Sequence, residues 1–133
     1  DLKIDFNFIF LKNKMFLLIS GYRKYYSKNI IYEEIMKIFS SSDEKEHTII
    51  HGGCPTGVDA IAHSISKEKG WKIQVFPADW SLGKKAGPLR NERMIIEGKP
   101  DHALLFLSDK SKGTLNMLYL IQKYKIPYTL KNI

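Results

Sequence analysis

Apolar positions fall into short unbroken runs separated by stripes of helical spacing, and the two kinds alternate along the chain. Met15-Phe16-Leu17-Leu18-Ile19 is a continuous apolar run ending at Ser20-Gly21, which is how a strand buried on both faces reads. After Tyr22, Arg23 and a loop, Ile31, Ile35, Ile38 and Phe39 stand at helical spacing, and Ser40-Ser41-Ser42-Asp43 closes that helix in a polar turn. A second strand is predicted from His47 to His51. A second helix follows from Thr56 to Lys69, with Val58, Ile61, Ala62 and Ile65 on one face and Gly70 as its stop. Lys72 to Phe76 reads as a third strand ended by Pro77, and a long connection from Ala78 to Gly87 comes next. Pro88 suits the first turn of a helix running to about Glu97. Asp101 to Leu107 is a fourth apolar strand, and Ser108 to Gly113 a polar loop. Thr114 then caps a helix carrying Met117, Leu120, Ile121 and Tyr124, and Pro127 to Leu130 closes with a fifth strand.

Strands alternating with helices predict an α/β domain over residues 15–133. Its form is a Rossmann-like three-layer fold, with an open, mainly parallel five-stranded sheet and helices on both faces. Residues 1–14 differ. Leu2, Ile4, Phe6, Phe8 and Phe10 alternate with mostly polar positions, so this stretch reads as an extension or an extra N-terminal edge strand. In sheets of this kind, ligands bind beyond the carboxyl ends of the strands at the switch point. Every polar, glycine-containing segment of the chain follows a strand and so falls on that edge.

Composition narrows the classes without choosing among them. The 133 residues suit a single core, and 44% hydrophobic with 26% charged residues is ordinary for a globular protein. Lys+Arg 21 against Asp+Glu 14 gives +7, which suits phosphate-bearing partners or a wet, lysine-rich surface. The single cysteine, Cys54, excludes an intramolecular disulfide and argues against structural zinc. His51 and His102 form no metal-ligand pattern with Cys54, and no metal or resident cofactor is expected. A reducing, cytoplasmic setting is the default. No apolar run is long enough to span a bilayer, and Lys12 and Lys14 break the apolar N-terminal region in a way that suits no signal peptide.

The densest chemistry lies in His51-Gly52-Gly53-Cys54-Pro55-Thr56-Gly57-Val58-Asp59. A strand that ends in Gly-Gly and reopens as a helix offers backbone N–H groups and a helix dipole to an anion. The same residues also suit an ordinary tight turn, with Thr56 and Asp59 at the spacing of a capping box. The order Ser20-Gly21-Tyr22-Arg23, His51-Gly52-Gly53, Gly57-Val58-Asp59 and Phe76-Pro77-Ala78-Asp79-Trp80 continues through Gly83-Lys84. Ala86-Gly87-Pro88-Leu89-Arg90-Asn91-Glu92-Arg93-Met94, Gly113-Thr114 and Asn116-Met117 complete it. This ordered set resembles the YspA-related branch of the SLOG superfamily, which groups the DprA/Smf proteins with the LOG phosphoribohydrolases. The resemblance implies a Rossmann-like domain whose strand-end loops hold a nucleotide or nucleotide-derived ligand, and self-association as a dimer. It departs from the LOG pattern at Met117, which stands where those enzymes carry a glutamate. The lysines of Ser108-Asp109-Lys110-Ser111-Lys112 stand where LOG proteins have paired glycines.

On this reading the amides of Gly52, Gly53 and Gly57, with Thr56, cradle one part of a ligand, and Gly21 belongs to the same binding set. Gly113 and Thr114 hold phosphate, and Arg23, Lys84 and Arg90 neutralise it. Gly87 and Asn91 belong to the same set. Arg90 falls in the predicted first turn of its helix, where a cation conflicts with the dipole unless an anion is bound. Tyr22 or Trp80 covers a base, although Trp80 serves equally as a lid over the core. Asp79 hydrogen-bonds ribose or, in an enzyme, supplies the missing carboxylate. Asp59 is the other candidate carboxylate of an enzyme, but its spacing favours a structural cap. Three functions therefore stand open: binding of a nucleotide-like small molecule, hydrolysis of its N-glycosidic bond, and single-stranded nucleic-acid binding of the DprA kind.

Overall fold

A computed structural model describes residues 14–39 and 46–133. The elements are β1 (Phe16–Gly21), α1 (Lys28–Phe39), β2 (Thr48–His51), α2 (Gly57–Lys69) and β3 (Lys72–Val75). A 3-10 segment (Trp80–Lys85) leads to α3 (Ala86–Ile96), β4 (His102–Leu107), α4 (Lys112–Lys123) and β5 (Tyr128–Asn132). The expected edge strand and the polar turn from Ser40 to Asp43 lie outside the described residues.

The five strands form one sheet in the order β3-β2-β1-β4-β5, and every neighbouring pair is parallel. Period-two alternation sorts their side chains between two cores. Leu17, Ile19, Ile49, Leu104 and Phe106 face α1 and α2, packing with Ile31, Ile35, Val58 and Ile65. Leu18, Ile50, Ala103 and Leu105 face α3 and α4, packing with Met94, Met117 and Ile121. Leu17, Leu18 and Ile19 are wholly buried, each such side chain being worth about 1.5–3 kcal/mol. The central strand therefore anchors both layers, and the chain is an α/β, Rossmann-like fold as its pattern predicts.

Helix boundaries show where local residues decide and where they do not. Gly70 ends α2 in the left-handed region, φ 75°, and its N–H donates to the Lys67 and Ser66 carbonyls. Pro88 is the third residue of α3 and not its first, because the 3-10 segment before it bends at Gly83 (φ 72°, ψ −142°) and delivers the chain into helix at Ala86. Arg90 consequently lies past the first turn. Ser111 is the N-cap of α4, so Gly113 and Thr114 are helical and not loop and cap.

Because β1 is flanked by β2 on one side and β4 on the other, the chain leaves the sheet in opposite directions around it. A crevice opens there, at the carboxyl ends of the strands.

Candidate functional site

A cavity of about 770 Å³ occupies that crevice, within the size range of small-molecule sites. Its walls come from four places: Ser20 to Arg23 after β1, Gly52 to Pro55 after β2, Pro77, Ala78 and Trp80 after β3, and Lys110 to Thr114 at the start of α4. Asp59, Arg90 and Asn91 reach it from α2 and α3.

The glycine loop after β2 does not present bare amides. Cys54 N–H donates to Asp59 Oδ2 at 3.2 Å, Gly52 N–H also serves that carboxylate, and Gly53 N–H donates to His51 Nδ1 at 3.0 Å. The start of α2 is bonded to the β1 loop. Val58 N–H donates to the Tyr22 carbonyl at 3.4 Å and Thr56 Oγ1 to the Arg23 carbonyl at 2.8 Å. Thr56 makes no side-chain cap bond, and Asp59 bonds Cys54 rather than Thr56, so the expected capping box is replaced by a dock for the β1 loop. Gly57 (φ 70°) lies against the backbone of Arg23, and at Gly21 a Cβ would fall 2.6 Å from Val58. These residues fix the direction in which Tyr22 and Arg23 leave the sheet.

Arg90 and Asn91 tie the other walls together. Arg90 Nη1 donates to the Gly52 carbonyl at 2.6 Å and the Phe76 carbonyl at 3.4 Å, joining the ends of β2 and β3. Its Nε donates to Asn91 Oδ1 at 3.0 Å. The buried Asn91 spends both amide protons across the cavity, on the Gly113 carbonyl (3.2 Å) and Asn116 Oδ1 (3.0 Å). Arg90 is thus committed to main-chain oxygens, and its conflict with a helix dipole does not arise.

The opposite end stays open. Ser108 and Ser111 staple a tight turn: Ser108 N–H donates to Ser111 Oγ at 3.0 Å, and Ser111 N–H to the Ser108 carbonyl at 3.0 Å. With its hydroxyl turned to Ser108, Ser111 makes no side-chain cap bond to α4. First-turn N–H groups of a helix have no acceptor within it, and here Lys112, Gly113 and Thr114 all border the cavity. Lys110 and Lys112 flank them, Arg23 stands across on the β1 loop, and all three side chains are exposed.

Of the residues expected at the site, Gly21, Tyr22, Arg23, Gly52, Gly53, Trp80, Arg90, Asn91, Gly113 and Thr114 meet around this cavity. Thr56, Gly57, Asp79, Lys84 and Gly87 are not in its lining. Asp79 Oδ1 accepts from the Ser81 amide and hydroxyl (3.1 and 2.6 Å), so that oxygen is occupied locally. Lys84 is exposed on the 3-10 segment. Met117 is wholly buried in the α3–α4 core. Of the two candidate carboxylates, Asp59 borders the cavity and Asp79 does not, although the spacing of Asp59 favours a cap. Among the described residues, no group of three or more His, Cys, Asp or Glu is placed to hold a metal ion, and no helix is long and apolar enough to cross a membrane.

Burial sets the electrostatics of the β2 end. It pushes Asp59 up to about 6, against the Cys54 amide and the nearby Arg90 charge that favour the carboxylate. It pushes His51 down to about 4, helped by His63 and Arg90. Because His51 Nδ1 accepts from Gly53, neutral His51 carries its proton on Nε2 and donates to His63 Nδ1, 2.9 Å away. His102, against Thr129 Oγ1 at 2.9 Å, is likewise held down to about 4 by burial.

Stability should therefore fall in acid. Between about pH 6.5 and 4 the unfolded chain binds protons at His51 and His102 that the folded chain refuses, a loss of about 3 kcal/mol for each. Asp59 works in the opposite sense, since the folded form takes its proton first, and it returns about 3 kcal/mol over the same window. About one histidine's worth of loss remains. Urea midpoints at pH 7, 5.5 and 4.5 check this: the midpoint drops as pH falls, and drops further in Asp59→Asn, where the offset is gone.

No curated protein matches the chain. The sequence model of the YspA, cpYpsA-related SLOG family (YAcAr) does match, over residues 15–83, a stretch holding the β1 loop, the glycine loop with Asp59, and the β3 exit through Trp80. The chain belongs to the YspA, cpYpsA-related SLOG family.

Proposed function

We propose that the cavity binds a nucleotide or nucleotide-derived small molecule, with its phosphate at the start of α4. The observation that carries this reading is the contrast between two helix N-termini on one rim. That of α2 lies outside the cavity lining at Gly57 and Val58, its Val58 N–H is on the Tyr22 carbonyl, and it brings the Asp59 carboxylate to the wall, which disfavours an anion. That of α4 has no side-chain cap either, but Lys112, Gly113 and Thr114 of its first turn line the cavity, and Lys110 and Lys112 supply two lysines there. Helix N-termini of this kind favour anions through their free N–H groups and dipole. Family membership in SLOG agrees with a nucleotide-related role. Tyr22 and the exposed Trp80 border the same space and offer ring faces to a base, a contact worth roughly 1–3 kcal/mol where bases stack on aromatic side chains.

Calorimetric titration with nucleoside 5′-phosphates and the corresponding nucleosides tests the reading. The phosphorylated forms bind and the nucleosides bind at least tenfold more weakly, each charge-assisted contact being worth about 1.5–3 kcal/mol. In a Lys110→Ala, Lys112→Ala double variant that preference shrinks, while thermal stability holds, because both side chains are exposed. Equal affinity for nucleoside and nucleotide in the wild-type protein would refute the assignment.

A further inference from the structure

We infer that the β2 end of the cavity reads the ribose of the ligand, with the Asp59 carboxylate accepting hydrogen bonds from vicinal hydroxyl groups. The protein then selects ribonucleotides over deoxyribonucleotides and rejects nucleotides phosphorylated on those hydroxyls. This inference rests on the nucleotide reading above and adds an orientation and a selectivity to it.

The argument starts from what Asp59 lacks. It is 8% exposed and borders the cavity, so little water solvates it. An ionised carboxylate only accepts, with about four lone-pair directions. Two are taken, by the Cys54 and Gly52 amides. Arg90, the nearest cation, has placed Nη1 on the Gly52 and Phe76 carbonyls and Nε on Asn91, and so gives the carboxylate charge without a donor in contact. Acceptor capacity is thus left on a buried anion at the wall of a hollow, and burying such capacity unmet is costly. The group that meets it must be a donor and must not be an anion.

Topology supplies the register. β2 and β4 both pair with β1 on opposite sides, so their exit loops stand two strand spacings apart, roughly 10 Å. The α4 end attracts phosphate and the Asp59 end repels it by like charge. A nucleoside 5′-phosphate is a molecule with its anion at one end and two neutral donors, the 2′- and 3′-hydroxyls, at the other. Its base then lies toward Tyr22 and Trp80, on the β1 and β3 exits. The cation-rich and anion-bearing ends of the cavity thus match the two ends of this ligand in order. Although burial pushes Asp59 up to about 6, it remains mostly ionised at pH 7.5, where the selectivity should be measured.

The test uses the full chain at pH 7.5, with thermal-shift and calorimetric titration of ribonucleoside and 2′-deoxyribonucleoside 5′-mono- and diphosphates of all four bases. The expected result is at least tenfold tighter binding of the ribo form of whichever base binds best, since a site built to hydrogen-bond a hydroxyl is left unpaired by the analogue lacking it. Adenosine 3′,5′-bisphosphate should bind the wild-type protein at least tenfold more weakly than adenosine 5′-monophosphate. In Asp59→Asn that order narrows or reverses: the bisphosphate gains affinity while the ribo-over-deoxy preference falls. A purely structural role for Asp59 predicts weaker binding of every probe alike, and that outcome overturns the inference. Equal binding of ribo and deoxy forms by the wild-type protein also overturns it and leaves the nucleotide reading standing. Binding of no nucleotide at all removes both.

Discussion

Replacing Gly57 by alanine is expected to destabilise the protein by about 3 kcal/mol or more, the larger share from a collision and the smaller from backbone strain. Gly57 sits at φ 70°, where an L side chain costs roughly 1–2 kcal/mol. A Cβ there would also stand 2.4–2.5 Å from the carbonyl carbon, Cα and oxygen of Arg23. Those are main-chain atoms, so no rotamer can yield. The β1 loop would have to lift from the N-terminus of α2, breaking the Val58–Tyr22 and Thr56–Arg23 bonds together. A melting temperature lowered by roughly 10 °C, at about 2–8 °C per kcal/mol for a domain near this size, is the measurable result. A Gly113→Ala control, where nothing lies within 4 Å of the added carbon, should melt at or above the wild-type temperature.

The second large effect belongs to Arg90→Ala. This change removes the donor to the Gly52 and Phe76 carbonyls and the partner of Asn91 Oδ1. It also removes the positive charge that steadies the buried Asp59. Breaking buried networks of this sort costs about 3–5 kcal/mol when an uncompensated charge remains. The Asp59 titration should then move above its present value of about 6, so the variant's deficit is expected to be larger at pH 8 than at pH 5.5. Chemical denaturation at the two pH values checks the sign. If the deficit is the same at both, Arg90 acts on carbonyls alone and not on Asp59.

Much of the architecture was legible because it depends on burial, and burial writes itself as apolar runs. Met15 to Ile19 and His102 to Leu107 can only be strands covered on both faces, and Gly70 stops its helix for a local stereochemical reason. Side-chain destinations were less legible. Nothing in the run Gly52-Gly53-Cys54 announces that His51 and Asp59 turn back onto its amides. Gly113 looks like loop because glycine is a poor helix residue, yet Ser111 starts the helix earlier and Asn91 grips the Gly113 carbonyl from another element. Asp79 reads as a ligand carboxylate until its own neighbour Ser81 claims it, a local bond that competes with any distant role. Arg90 lines the cavity, but the dipole argument for it required a helix start that tertiary context moved to Ala86.

Arg90 and Asn91 are consecutive, yet one holds the exits of β2 and β3 while the other holds the first turn of α4. Opposite banks of the crevice are thereby riveted to a single peptide unit before any guest arrives. A receptor assembled in advance spends little of its association energy on freezing loops, so more of each contact survives as affinity. Trp80 stands outside those rivets at 69% exposure, which makes it the wall with the most left to gain from closing on an occupant.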